Sequence, residues 1–233
     1  MKRSGIKQIV ILAGGLATRL HPITIKIPKS MVSVSGKPFL EHQIALCKKN
    51  GIEEIVLCVG HFWEQIRDYF GDGSRYGVRI IYSVENERLD TGGALKNALP
   101  YLSEKFFVLY GDSFLTADWQ AVARAFEKSG ESGLMTVFRN DGTLNVPSQI
   151  IVKNGHVSEF TKTDFKPEME FVEYGLNIFR RDIIDRIPEK SFPIGYYFDL
   201  LIAENQLLSY ESPKKFFEIG CPEGLKELEI YIG

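Results

Sequence analysis

The sequence predicts an α/β fold built on a doubly wound, mostly parallel sheet, with antiparallel strands added in the C-terminal half. Two observations predict it. From residue 8 to residue 110, short unbroken apolar runs alternate with segments of helical periodicity, which is typical of parallel strands covered by helices on both faces. After residue 128, short apolar runs are separated by turns, which favours mixed or antiparallel pairing. We expect a single domain over residues 1–233, with one part at 1–115 and another at 116–233.

The predicted elements of the first part alternate strictly. Strands are expected at residues 8–12, 55–59, 78–82 and 106–110, and helices at 38–50, 63–70, 93–99 and 119–128. The apolar stripe of the first helix stops at Gly51, the second helix is followed by Gly71, and Pro100 ends the third. In the second part, strands are expected at 134–138, 149–152, 156–160 and 174–179, and helices at 181–187, 198–205 and 223–231.

The composition excludes several kinds of partner. The chain has 233 residues, of which 44% are hydrophobic, a formal net charge of -2 and a pI of about 6.1. A nucleic acid or a membrane surface is therefore not expected as a partner, since both attract basic proteins. No apolar stretch reaches the roughly 20 residues that span a bilayer, and neither a signal peptide nor a further domain is expected. The three cysteines, Cys47, Cys58 and Cys221, lack a CxxC spacing, which indicates reduced thiols in the cytoplasm.

A glycine pair, Gly14-Gly15, follows the first predicted strand and opens the most informative segment. Glycines at the end of a buried strand let the backbone approach a ligand, and their N–H groups can meet phosphate oxygens. Arg19 adds a forked positive charge, and Lys29 adds a mobile one. The segment is neither a Walker A sequence nor a GxGxxG fingerprint. It therefore indicates another kind of loop that holds a nucleoside triphosphate.

Residues 12–20 read L-A-G-G-L-A-T-R-L, and Pro28-Lys29 follows them. This pattern resembles the signature of the nucleotidyltransferase family that makes nucleotide sugars, L-A-G-G-x-G-T-R-L and then P-K-P. Ala17 stands where the third glycine is usual, and Ser30 stands where the family has a proline. The resemblance extends over nearly the whole chain. It implies a Rossmann-like fold of the kind that nucleotide-sugar glycosyltransferases also have, and a magnesium-dependent sugar 1-phosphate nucleotidyltransferase.

Two further motifs narrow the resemblance. Residues 37–41 read K-P-F-L-E, and residues 90–94 read D-T-G-G-A. They look most like heptose 1-phosphate guanylyltransferases and N-acetylmuramate 1-phosphate uridylyltransferases, which act in cell-surface polysaccharide synthesis. The first substrates to expect are therefore GTP and heptose 1-phosphate.

The resemblance also implies the residues of the site. Nucleotide binding is expected from Leu12, Ala13, Gly14, Gly15, Thr18, Arg19, Glu85, Thr91, Gly92 and Gly93. Catalytic roles are expected from Arg19, Lys29, Asp112 and Lys162. Contacts with the acceptor are expected from Tyr110, Lys162, Glu173, Gly175 and Asn177. Asp112 and Glu218 are expected to hold Mg²⁺.

The residue types suit these roles. Asp112 comes directly after a predicted buried strand, where open α/β sheets bind their ligands, and magnesium takes one or two carboxylates plus substrate phosphates. Glu218 replaces an aspartate of many relatives and still offers a carboxylate. Lys162 can neutralise the acceptor's phosphate. Glu173 and Asn177 either bind hydroxyl groups of the sugar or are ordinary outward-facing strand residues, and the sequence leaves both interpretations open.

The expected reaction is an in-line attack of the acceptor's phosphate on the α-phosphorus of the nucleoside triphosphate, with release of pyrophosphate. Catalysis then depends on positioning and charge neutralisation. Three alternatives stay open: a cytidylyltransferase with a phosphorylated non-sugar acceptor, an inactive regulatory subunit that binds nucleotide sugars, and a glycosyltransferase. The last usually has an Asp-x-Asp motif, which the segment beginning at Asp112 lacks. Assembly into a homo-oligomer is a further expectation left open at this point.

Overall fold

The computed structural model describes residues 4–15, 20, 22–142, 144 and 146–233, and only the backbone of residue 23. The predicted site residues Thr18 and Arg19, and the departure at Ala17, lie outside the described residues.

The elements of the described chain follow the predicted order, with several short strands in addition. The strands are β1 (Gln8–Leu12), β2 (Ser33–Val34), β3 (Lys37–Pro38), β4 (Glu54–Val59), β5 (Arg79–Val84), β6 (Lys105–Tyr110), β7 (Ser113–Leu115), β8 (Gly133–Arg139), β9 (Ile150–Lys153), β10 (His156–Phe160), β11 (Phe171–Arg180), β12 (Leu207–Glu211) and β13 (Phe216–Glu218). The α-helices are α1 (Phe39–Lys49), α2 (Trp63–Phe70), α3 (Asp90–Asn97), α4 (Trp119–Ser129), α5 (Arg181–Ile184), α6 (Gly195–Ala203) and α7 (Pro222–Ile232).

One large sheet organises the described residues, in the strand order β5-β4-β1-β6-β11-β8-β12-β10-β9. The strands β5, β4, β1 and β6 are parallel, as predicted. β11 is antiparallel to both β6 and β8, whereas β12 is parallel to β8. The sheet therefore continues from the first part of the chain into the second through the pairing of β6 with β11. The division at residue 115 stays a prediction.

Helices cover both faces of this sheet because its strands are apolar on both sides. Ile9 and Ile11 of β1 pack in one cluster with α1, α2 and α4, while Val10 and Leu12 pack in another with α3, α5 and α6. A third cluster places α7 against β2 and β13. Burying each large apolar side chain stabilises the fold by roughly 1.5–3 kcal/mol.

Some predicted boundaries were wrong. The helix expected at 181–187 ends at Ile184, and the one expected at 198–205 begins at Gly195. The helix expected to begin at Gly93 begins at Asp90, so two glycines lie within it. β12 and the short ribbon of β7 and β13 were not expected at all.

The register of the parallel strands creates one functional edge. Leu12, the last residue of β1, pairs with Cys58 of β4 and with Tyr110, the last residue of β6. The segments that leave β1, β5 and β6 therefore begin at the same edge of the sheet, which is where open α/β sheets bind ligands.

Candidate functional site

A cavity of about 440 Å³ lies at this edge. The predicted site residues that line it are Leu12, Ala13, Gly14, Gly15, Lys29, Glu85, Thr91, Tyr110 and Asp112. The cavity is also lined by residues to which the sequence analysis gave no role in the site: Ser30, Arg88, Asp90, Ala94, Gly111 and Gly220. The structure thus gathers residues from five separate segments around one cavity.

The glycine loop leaves β1 next to the end of β5. The N–H of Ala13 donates to the carbonyl oxygen of Cys58 at 2.8 Å, which continues the β1–β4 ladder by one residue. Gly14 lies against the carboxylate of Glu85: a β-carbon at this position would be 2.5 Å from Glu85 Oε1. Because Gly14 has no side chain, the Glu85 carboxylate has room to lie beside it and to line the cavity.

Burial raises the pKa of Glu85, and its carboxylate accepts a hydrogen bond from the N–H of Leu89 at 3.3 Å. The negative charge of Asp90 raises this pKa further. A half-buried carboxylate with one oxygen held in this way can accept a hydrogen bond from a ligand in the cavity.

Lys29 and Asp112 form an ion pair across the cavity. Lys29 Nζ lies 2.6 Å from Asp112 Oδ2, and the two side chains are 13% and 27% exposed. Lys29 begins a short 3-10 turn at Lys29–Met31, while Asp112 follows β6. The pair joins two predicted catalytic residues that are 83 positions apart.

The pairing of β7 with β13 places Glu218 opposite Ser113, which is the residue after Asp112. Glu218 pairs with Ser113 in the ladder, and the N–H of Ile219 donates to the Asp112 carbonyl oxygen at 2.9 Å. Burial and the neighbouring Glu173 raise the pKa of Tyr110, and the negative charges of Asp112 and Glu218 raise it further. Both carboxylates are therefore close enough to the Tyr110 phenol to affect its ionisation. The two predicted metal ligands therefore lie in one neighbourhood.

The predicted acceptor residues are joined by hydrogen bonds. The Tyr110 hydroxyl donates to the two carboxylate oxygens of Glu173, at 2.8 and 3.0 Å. The side-chain amide of Asn177 donates to Glu173 Oε1 at 2.8 Å, and Asn177 is completely buried. An ordinary outward-facing position is therefore excluded for Asn177. A shift in the β11–β8 register between residues 173 and 177 accompanies the cluster.

Gly175 and Lys162 lie beside this cluster. Gly175 has a φ of +92°, a conformation that side chains disfavour, and a β-carbon there would be 3.2 Å from Ser113 Oγ. The Lys162 ammonium group lies 5.9 Å from the centre of the Tyr110 ring and 5.8 Å from that of Phe160. Lys162 itself is exposed, so its charge is available to a ligand.

The turn at Thr91 is engaged within the protein. The N–H groups of Gly92 and Gly93 both donate to the Phe192 carbonyl oxygen, at 2.8 and 3.1 Å, and both glycines are buried. The Thr91 hydroxyl accepts from the N–H of Ile194 at 2.9 Å. Thr91 lines the cavity, whereas the two glycines hold α3 against residues 190–194 and their donors are already used.

Gln43 is a supporting residue that sequence reasoning missed. It is completely buried, and its amide donates to the carbonyl oxygens of Tyr110 and Ser113, at 3.0 and 2.8 Å. These bonds fix the turn that carries Asp112. The only sequence signal was a polar residue within the apolar stripe of α1, which is a weak one.

Ser30 is 1% exposed, and its hydroxyl has no hydrogen-bond partner among the described residues. It also lines the cavity, so a ligand there can satisfy this hydroxyl.

None of the helices in the described part of the chain is long and apolar enough to cross a membrane. Cys47, Cys58 and Cys221 are free thiols, and burial raises the pKa of Cys47 and Cys58 well above its usual range.

Comparisons with known proteins agree with this architecture. The family model described as Nucleotidyl transferase matches residues 8–206. Over 230 residues, the chain is 34% identical to the D-glycero-alpha-D-manno-heptose 1-phosphate guanylyltransferase of Campylobacter jejuni, covering 93% of this chain and 96% of the relative. It is 31% identical to a mannose-1-phosphate guanyltransferase of Gibberella zeae, covering 92% of this chain and 61% of that protein.

Among solved structures, HddC from Yersinia pseudotuberculosis aligns with a TM-score of 0.82 at 27% identity, over 98% of this chain and 100% of that one. A second structure of HddC, complexed with GMP-PN, aligns equally well. The inositol-1-phosphate CTP transferase of T. maritima has a TM-score of 0.83 at 18% identity, a likeness of fold alone, over 99% of this chain and 98% of that one.

Proposed function

This chain belongs to the nucleotidyl transferase family, and we propose that it transfers GMP from GTP to a heptose 1-phosphate, giving a GDP-heptose and pyrophosphate. The predicted enzyme class, a sugar-phosphate nucleotidyltransferase, is confirmed. The choice of GTP and heptose rests on the relative from Campylobacter jejuni, which is named for this reaction and aligns over nearly the full length of both chains.

The observation that carries the proposal is the cavity that joins Glu85, Lys29 and Asp112. It offers a carboxylate for a base at one end and a cation for phosphates at the other. A regulatory subunit without activity would not need the close Lys29–Asp112 pair. The likeness to a CTP transferase concerns the fold alone and therefore does not favour a cytidylyltransferase.

The nucleotide is held from several sides in this proposal. Gly14 and Gly15 bring the backbone to the phosphates, and Arg19, whose role rests on the sequence motif, stabilises the departing pyrophosphate. Lys29 neutralises charge near the α-phosphorus. Each role is a positioning or charge effect, so no side chain has to accept a proton from the attacking phosphate, which is already an anion.

The acceptor lies on the Glu173 side of Tyr110. Lys162 holds its phosphate, whose oxygen attacks the α-phosphorus, and the bond to the bridging oxygen of pyrophosphate breaks. Glu173 accepts hydrogen bonds from hydroxyl groups of the sugar, in an orientation set by Tyr110 and Asn177. Gly175 keeps the strand close to Tyr110 and leaves room for the sugar ring.

The described residues fit a magnesium ion. Asp112 and Glu218 supply two carboxylates in one neighbourhood, and magnesium takes one or two carboxylates together with substrate phosphates. No group of three acidic, histidine or cysteine side chains suited to a metal occurs among the described residues, so the remaining ligands would come from the substrates and water. When bound, the ion supplies positive charge at the phosphate oxygens. The reaction belongs in the cytoplasm, in the synthesis of cell-surface polysaccharide.

A substrate panel tests the proposal. Pyrophosphate release is measured with magnesium and each of GTP, CTP, UTP, ATP and dTTP. The acceptors are heptose, mannose, glucose and N-acetylmuramate 1-phosphates and, as a non-sugar, a phosphorylated amino alcohol. We expect the highest kcat/KM for GTP with heptose 1-phosphate. A higher value for CTP with a phosphorylated non-sugar, or no release from folded protein that binds GTP, would refute the assignment.

A further inference from the structure

The loop that joins β5 to α3, residues 85–89, is folded back beside the cavity. The N–H of Leu89 donates to Glu85 Oε2 at 3.3 Å, and Leu89 is 5% exposed. The Leu89 carbonyl oxygen in turn accepts from the N–H of Phe192 at 3.1 Å. Because the loop closes at Leu89, the preceding residue, Arg88, is carried to the side of the Glu85 carboxylate, and both side chains line the cavity.

The charge of Arg88 is not used within the described chain. Its acidic neighbours have partners: Glu87 pairs with Lys190, and the Asp90 carboxylate accepts from the N–H of Thr91 at 2.6 Å. Arg88 is exposed and has no hydrogen bond or ion pair with any residue that the structure describes. At the rim of the cavity, the guanidinium of Arg88 therefore offers forked donors that no described residue uses.

The space around Arg88 is open. A second cavity, of about 520 Å³, meets the first at Gly14, Glu85 and Arg88. Glu85 and Arg88 thus lie where the two cavities join, with room for a flat heterocycle between or beside them. The carboxylate offers acceptors, and the guanidinium offers donors.

Guanine matches this pair in a way that the other bases do not. It carries donors at N1 and the N2 amino group on one edge and acceptors at O6 and N7 on the next, and arginine commonly binds O6 and N7 with its two forked donors. Adenine has an amino group in place of O6, and the pyrimidines have no N7. A carboxylate beside a guanidinium therefore favours guanine over each of them.

We propose that Arg88 determines base specificity by donating to guanine O6 and N7, while Glu85 accepts from N1–H and the N2 amino group. This inference rests on the proposed function, since it names the residues that select GTP. It adds a residue that no family motif in this sequence indicated.

Nucleotide analogues test each contact separately. Binding of GTP, 7-deaza-GTP, which lacks N7, and ITP, which lacks the N2 amino group, is measured by calorimetry with the wild type and with Arg88→Met, whose side chain has no N–H donor. We expect the wild type to bind 7-deaza-GTP about 10- to 100-fold more weakly than GTP, since one hydrogen bond to a charged group is lost. In Arg88→Met this difference between GTP and 7-deaza-GTP disappears, while the weaker binding of ITP, which reports the Glu85 contact, persists. Arg181→Met replaces an exposed arginine outside this cavity, serves as the matched control and keeps both differences.

Other outcomes overturn the inference. If 7-deaza-GTP binds more weakly than GTP by the same factor in the wild type and in Arg88→Met, another group contacts N7. If Arg88→Met loses affinity for all three nucleotides by the same factor, Arg88 contacts the phosphates. Failure of the proposed function is a separate result: GTP then binds without supporting pyrophosphate release with any sugar 1-phosphate, while the analogue penalties still decide the role of Arg88.

Discussion

Replacing Tyr110 with phenylalanine removes one of the two donors that orient Glu173. The Tyr110 hydroxyl contacts both carboxylate oxygens, at 2.8 and 3.0 Å, and the Asn177 amide is the other donor, at 2.8 Å. The substitution keeps the ring, which lines the nucleotide cavity, and takes away only the oxygen on the acceptor side. The effect should therefore fall on the sugar 1-phosphate and leave the nucleotide unaffected.

The expected size follows from the hydrogen bond itself. A hydrogen bond to a charged group contributes roughly 1.5–3 kcal/mol, and the lower end applies because Glu173 is only half-buried. A change of about 1.4 kcal/mol corresponds to a factor of about ten in an equilibrium constant. We therefore expect the KM for the acceptor to rise about tenfold in Tyr110→Phe.

Initial rates of pyrophosphate release give the measurement, with the acceptor varied at saturating GTP and GTP varied at saturating acceptor. Tyr82→Phe is a matched control, because the Tyr82 hydroxyl donates to the Gly71 carbonyl oxygen at 2.7 Å, away from the cavity. A rise in the KM for GTP with an unchanged KM for the acceptor would refute the reasoning. So would the same change in both variants.

Four further substitutions test the nucleotide side of the site and the packing of α3. Asp112→Asn removes the charge that pairs with Lys29, and we expect kcat for pyrophosphate release to fall roughly 100- to 1,000-fold with an unchanged circular dichroism spectrum. Gly14→Ala adds a methyl group 2.5 Å from Glu85 Oε1, so the carboxylate must turn away and GTP should bind more weakly in calorimetry. Burial raises the pKa of Glu85, so GTP binding should weaken on acidification at a higher pH than for an ordinary glutamate, and Glu85→Gln should remove this component. Gly93→Ala places a β-carbon 2.3 Å from the carbonyl oxygen of Lys190, a backbone atom, and the free energy of unfolding in urea should fall by roughly 1–3 kcal/mol.

Matched controls exist for these variants. Asp68→Asn removes a carboxylate from an exposed ion pair and should leave kcat unchanged. Gly195→Ala adds a methyl group whose nearest neighbour is 3.8 Å away, which is an ordinary contact. It is the control for both Gly14→Ala and Gly93→Ala. Near-normal turnover in Asp112→Asn would contradict the role given to this carboxylate. Identical pH profiles for the wild type and Glu85→Gln would contradict a base contact through Glu85.

The parallel half of the sheet could be predicted because its signals are local. The unbroken apolar run of β1 and the periodicity of α2 give the bounds that the structure has, Gln8–Leu12 and Trp63–Phe70. β12, in contrast, is a short segment in which only Leu207 is fully buried, and its pairing with β8 is a long-range contact. The short β7–β13 ribbon likewise depends on partners about a hundred residues apart. No local pattern could indicate either.

In the candidate site, too, local sequence patterns indicated single residues and did not indicate the contacts between distant segments. The sequence motifs indicated Lys29 and Asp112 individually, and the structure adds that they form an ion pair. Asn177 could not be placed from periodicity, because a register shift in β11 turns the strand between residues 173 and 177. Arg88 was missed because a lone arginine in a loop resembles any exposed charge. Only the closure of the loop at Leu89 brings it to the cavity.

The most direct test of the central claim is phosphorus NMR of the protein with GTP, heptose 1-phosphate and magnesium. The account predicts that the signals of both substrates decline together while pyrophosphate and the two coupled resonances of a sugar diphosphate appear in equal amounts. GTP hydrolysis to GDP and free phosphate, or an unchanged spectrum from folded protein that binds GTP, would contradict it.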